Sequence, residues 1–126
     1  AGAGAPYPTG AAGERPVRYM SPEALADDAQ NEHTDIWGFG VLLWEVAAMG
    51  RIPYAHVPDD GEVAAGVTGG RLRLEPHAGM PKGLHSLMDC CLNFAPEDRP
   101  CFAQVKIALL RVAAGMGVVA MCTGQQ

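Results

Sequence analysis

The chain has 126 residues, is 48% hydrophobic and carries a formal net charge of -5 at pH 7. That apolar share is enough for a core and argues against a disordered chain. The acidic balance offers no basic stripe to gather around a phosphate backbone, so nucleic-acid binding has no electrostatic support.

In chain order, residues 1–15 are mostly Gly, Ala and Pro around one aromatic, Tyr7. Such a stretch cannot bury enough apolar surface to offset its ordering entropy, so a mobile loop is expected. It has no structural start signal, which suggests a piece of a longer product. Ser21 as N-cap, Pro22 at the first helical position and Glu23 near the positive end of the dipole predict a short helix over residues 22–26.

Residues 35–49 (DIWGFGVLLWEVAAM) predict the main helix, capped by Thr34 or Asp35 and stopped by Gly50. Apolar residues occupy nearly every face, so burial on all sides is expected. Asp59 and Asp60 introduce a short helix over 61–67, ended by Gly69-Gly70. Leu84, Leu87, Met88, Cys91 and Leu92 fall on one face of a helix over 82–93, and Phe102, Val105, Leu109 and Val112 on one face of another over 102–113. Cys101 supplies no good N-cap, so this last helix should begin less firmly. No strand pattern and no repeat is visible, and residues 114–126 read as an unstructured tail. The apolar stretch 112–122 is about half of the ~20 residues a spanning helix needs, so no membrane contact is expected of this segment.

Cys90, Cys91, Cys101 and Cys122 form no CxxC pair, and adjacent Cys90 and Cys91 could bond to each other only with strain. A reduced, cytoplasmic setting is the simpler reading. His33, His56, His77 and His85 have no metal-ligand spacing and read as surface or loop residues.

Four blocks carry the rest: Pro16-Val17-Arg18-Tyr19-Met20-Ser21-Pro22-Glu23, then Thr34-Asp35-Ile36-Trp37-Gly38-Phe39-Gly40, then Pro53-Tyr54, and finally Asp98-Arg99-Pro100. In this order and at these separations the chain resembles the protein kinase family. The blocks correspond to the end of the activation segment with its Ala-Pro-Glu motif, the D-x-W-x-x-G start of the central helix, the loop after it and the late Arg-Pro motif. The resemblance implies a mainly α fold: the helical C-terminal lobe of a protein-kinase-like domain, without the N-lobe or catalytic loop. Residues 1–15 would be part of the activation loop and 16–113 the lobe from substrate-docking loop to last helix.

The resemblance gives several residues roles. Glu23 and Arg99 would form an ion pair beneath the docking loop, a union that carboxylate and guanidinium geometry suits. Asp35 and Trp37 would anchor the catalytic loop, although Asp35 also reads as a plain N-cap and Trp37 as core. Glu45, inside an apolar helix, needs a partner or a wet edge. Pro16, Val17, Arg18 and Tyr19 would form the substrate platform. Serine/threonine kinases usually have Gly-Thr where this chain has Arg15-Pro16, and Pro16-Val17-Arg18 is similar to the tyrosine kinase pattern. Tyr19 and Leu92 stand where tyrosine kinases mostly have Trp, which leaves the tyrosine-kinase-like serine/threonine group as the alternative. Tyr7 with Gly10 and Gly13 resembles an insulin-receptor-like activation loop. A phosphate on Tyr7 would look to Arg15, Arg18 or residues upstream for its contacts.

A kinase also needs a Gly-rich loop, a strand Lys paired with a helix Glu, a catalytic Asp and Asn, and a magnesium-binding Asp. None is in this sequence. The expectation is a parent protein that moves the γ-phosphoryl group of ATP, with magnesium, to a tyrosine-containing protein substrate, located in the cytoplasm or on the cytoplasmic side of a membrane receptor. This segment would be non-catalytic alone and would bind no cofactor or metal. A pseudokinase or helical interaction module is the other-class alternative.

Overall fold

A computed structural model describes residues 15–116. Among them there are five α-helices, two 3-10 turns and no strand: a turn at Val17–Tyr19, α1 (Pro22–Asp27), α2 (Glu32–Ala47), α3 (Asp60–Thr68), α4 (Lys82–Cys91), a turn at Pro96–Asp98 and α5 (Phe102–Ala113). The expected helical fold class is the observed one. Tyr7, the rest of residues 1–14 and the tail from 117 on lie outside the described residues.

The caps show why these segments stop and start where they do. In α1, Ala24 N–H donates to Ser21 Oγ at 3.2 Å and Pro22 opens the first turn. At its other end Arg15 donates to Ala24 O at 2.9 Å and pairs with Asp28 at 3.0 Å, so Arg15 is tied to the helix and is not part of a free loop. The main helix corrects its expected cap. Neither Thr34 nor Asp35 is the N-cap; Asn31 is, its side chain accepting from Thr34 N–H at 3.1 Å while Thr34 Oγ1 accepts from Asn31 N–H at 3.0 Å. This reciprocal box adds a polar first turn ahead of the apolar run. Past Ala47 the chain turns through Met49 (φ 60°) and Gly50 (φ 85°), left-handed backbone that glycine adopts without a Cβ penalty.

Asp59 caps α3 by accepting from Glu62 N–H at 2.9 Å. The start of α5 is firmer than its cysteine suggests: Cys101 N–H donates to Gln104 Oε1 at 2.9 Å and Phe102 N–H to Glu32 Oε2 at 3.0 Å. Both otherwise unpaired donors are thus met by side chains. Order also runs past Ala113, since Met116 N–H closes back onto Arg111 O at 2.7 Å.

The helix α2 divides the core. Trp37, Val41, Trp44 and Ala48 on one face pack with Tyr54, Val63, Val67, Leu74, Met88 and Leu92. On another face Ile36 packs with Leu87, Cys91, Val105 and Ala108. Burial is not complete around the helix, however. Leu42 is 50% and Val46 67% exposed, a strip that continues to Met49 at 91%. An all-round apolar composition measures what a helix could bury, not which faces have neighbours. No helix of the described residues is long and apolar enough to cross a membrane.

Candidate substrate platform and its brace

Residues 16–19 make a single tight turn, with Tyr19 N–H donating to Pro16 O at 2.9 Å and Met20 N–H to Val17 O at 3.2 Å. Val17 packs half-buried against the larger core cluster. Arg18 fixes the turn to the loop that precedes α3. Its Nε donates to Asp60 Oδ1 at 2.9 Å, Nη1 to Pro53 O at 3.0 Å and Tyr54 O at 2.9 Å, and Nη2 to Val57 O at 2.8 Å and Pro58 O at 3.1 Å. A guanidinium has five N–H donors, and all are accounted for. The loop supplies backbone carbonyls that no helix uses, and the arginine fork satisfies them together. Arg18 therefore has no donor left for a phosphate on Tyr7, which removes it from the contacts suggested by the sequence.

The other end of the turn is held by Tyr19, whose hydroxyl donates to Glu45 Oε1 at 3.1 Å. This is the partner that Glu45 needed within its apolar helix. Burial, then the hydrogen bond to Glu45 and its negative charge, push the Tyr19 phenol above its ordinary value, so the hydroxyl keeps its proton as donor.

A second arginine also has every donor in use. Arg99 Nη1 donates to Glu23 Oε2 at 2.6 Å and His33 O at 2.9 Å, Nη2 to Glu23 Oε1 at 2.9 Å and Phe94 O at 3.1 Å, and Nε to Asn93 O at 2.8 Å. The Arg99 side chain is fully buried and Glu23 is 18% exposed. Its guanidinium carbon lies 5.1 Å from the Trp37 ring centroid, within cation–π range. Burial tends to raise the Glu23 carboxyl, but hydrogen bonds from Arg99 and nearby groups outweigh it and hold the carboxyl below its usual range.

Asp35 and Trp37, grouped by the sequence, face different surroundings. Trp37 belongs to the core beside Arg99, with its Nε1 buried and unpartnered among the described residues. Asp35 is exposed and lines a cavity of about 480 Å³ with Pro16, Tyr19, Phe39, Leu42 and Phe102. The structure thus brings Pro16, Tyr19 and Asp35 to one opening, whose lining includes neither Glu23 nor Arg99. What the sequence reading missed was the Asn31 cap, which an Asn-x-x-Thr pattern signals, and the backbone acceptors of both arginines, which no sequence displays.

Among the described residues no group of three or more His, Cys, Asp or Glu side chains could hold a metal ion.

Residues 4–109 match the family described as "Protein tyrosine and serine/threonine kinase". Among curated proteins the chain is similar to chicken (Gallus gallus) "Inactive tyrosine-protein kinase 7", 44% identical over 94 residues, 75% of this chain and 9% of that protein. It is 40% identical to the mouse (Mus musculus) "Megakaryocyte-associated tyrosine-protein kinase" over 111 residues, 88% of this chain and 22% of that one. With the Xenopus laevis insulin receptor it shares 36% identity over 99 residues, 79% of this chain and 7% of the receptor. The chain therefore spans less than a quarter of the length of these relatives.

Proposed function

The chain belongs to the protein tyrosine and serine/threonine kinase family, and from that premise we propose that it is the substrate-docking and helical part of a protein tyrosine kinase domain. Its work is to hold the polypeptide whose tyrosine receives the γ-phosphoryl group of ATP. The observation that carries this reading is Arg18, whose donors all go into fixing the Pro16–Tyr19 turn to the 53–60 loop. A turn held this rigidly loses little entropy when it receives a substrate backbone, which is what a positioning surface requires. Glu23 and Arg99 hold the segment behind it, and Tyr19 is braced on Glu45. Nucleotide and magnesium belong to parts of the domain beyond these residues. A cytoplasmic setting for the domain accompanies the reading.

A second reading has support in the relatives named as inactive tyrosine kinases. In it, the same lobe serves as a binding module without phosphoryl transfer.

Peptide phosphorylation by the full-length protein that carries this chain separates the two. Transfer to a tyrosine peptide and none to its serine counterpart is the expected result. Arg18→Ala should raise KM for the peptide about tenfold, the ~1.4 kcal/mol of one charge-assisted hydrogen bond, and leave KM for ATP unchanged. A folded protein that transfers phosphate to neither peptide supports the module reading, and equal transfer to serine overturns the tyrosine platform.

A further inference from the structure

Away from the platform, the end of α2, the loop after it and residues 73–77 enclose a cavity of about 350 Å³. Trp44, Tyr54 and His77 give it an aromatic wall, with the Trp44 and His77 ring centroids 4.9 Å apart. Arg51 and Arg73 are exposed on its lining, and neither guanidinium makes a hydrogen bond or ion pair with any described residue. This contrasts with Arg18 and Arg99, whose donors are all occupied. The one carboxylate on the lining, Glu75, is exposed and bonded to neither arginine; its backbone carbonyl accepts from Trp44 Nε1 at 2.9 Å.

Two guanidinium groups without a hydrogen-bonded counter-ion beside an aromatic wall, in a chain of net charge -5, make a local positive site. Arginine forks match phosphate, as they do carboxylate, and each can donate two parallel bonds to it. The aromatic wall adds a demand for a flat apolar body attached to that anion. His77 holds its Nε2 buried without a partner, so the wall also carries an unmet polar atom. Burial pushes the Tyr54 phenol up to about 12 despite the opposing charge of Arg73, so the phenol is neutral. The volume lies at the low end of small-molecule sites and suits one substituted aromatic side chain.

We infer that this cavity is a docking site for a phosphorylated tyrosine side chain on an extended segment of a partner protein. The phosphate sits between Arg51 and Arg73, and the ring lies along Trp44 and His77. The inference does not depend on whether the protein transfers phosphate, since it concerns binding at a separate opening.

The test is calorimetric titration of the full-length protein with a short peptide containing one phosphotyrosine among neutral residues. Its phosphoserine and unphosphorylated forms are titrated alongside. The phosphotyrosine form should bind at least about tenfold tighter than either, and Arg51→Ala or Arg73→Ala should each weaken it about tenfold or more, the scale of a charge-assisted pair. Lys106→Ala, at an exposed position of α5, should leave it unchanged. Melting of each variant verifies that these surface changes preserve the fold. Absence of phosphotyrosine binding, equal affinity for the phosphoserine form, or insensitivity to both arginine substitutions would overturn the assignment.

Discussion

Gly40 and Leu92 meet where α2 crosses α4, so closely that a Cβ built on Gly40 would stand 2.9 Å from Leu92 Cγ and 2.9 Å from Cys91 Cβ. Two residues earlier, a Cβ on Gly38 would come no nearer than 3.9 Å to Tyr19 O. In helix propensity alone, alanine is favoured over glycine by ~1 kcal/mol. Gly38→Ala should therefore stabilise the protein by up to about that amount. Gly40→Ala should destabilise it by ~1–3 kcal/mol, because neither Cys91 nor Leu92 can give way in a packed core. Denaturant unfolding of the two variants checks the pair.

Arg99 is buried and makes a two-pronged contact with Glu23. Arg99→Ala should cost ~3–5 kcal/mol, since it leaves a half-buried carboxylate and three backbone carbonyls without their donor. Arg99→Lys should recover only part of this, for an ammonium cannot reproduce the fork. A normal melting temperature for Arg99→Ala would contradict the prediction.

The pH dependence follows from Glu23. Its folded carboxyl lies below the ordinary range, so the unfolded chain binds the proton more readily. The associated stability is complete above the unfolded value of ~4.3 and is lost as pH falls through the lower folded value. Glu23→Gln should lack this component, so its stability should fall less steeply than that of the wild type over the same acid range in pH-dependent unfolding.

Asn31, not Asp35, bears the cap of α2. Asn31→Ala should cost ~1 kcal/mol, while Asp35→Ala should change stability by less than ~0.5 kcal/mol. Thermal melts of the two proteins distinguish them directly.

The chain of 126 residues should show no magnesium-dependent ATP binding in calorimetry. Among the described residues no group could hold a metal, and no glycine-rich strand-to-helix loop is present to receive phosphates. A saturable heat of ATP binding that needs magnesium would refute this.

Helix positions were legible because caps and breakers are local. Ser21, Asp59, Gly50 and Gly69 bound their helices through contacts a few residues away. The start of α2 is hidden because the apolar run begins at Ile36, whereas the helix begins with a polar turn signalled by Asn31 and Thr34. Glu23 and Arg99 could be matched only through motif order, since nothing local joins residues 76 positions apart. The loads on Arg18 and Arg99 were illegible for another reason: most of their acceptors are backbone carbonyls, which every residue possesses. Exposure of Leu42 and Val46 was hidden by composition, because hydrophobicity does not name the neighbour that covers it.

The reach of Arg99 also sets an order in time. A chain made from its N-terminus presents Glu23 and the carbonyl of His33 long before their common donor leaves the ribosome. Until residue 99 emerges, α1 and the start of α2 have no clasp, and a product halted earlier would keep an acidic group with no counter-charge at its intended seam. Closure of the seam between α1 and the start of α2 therefore waits on residue 99, 76 positions after Glu23.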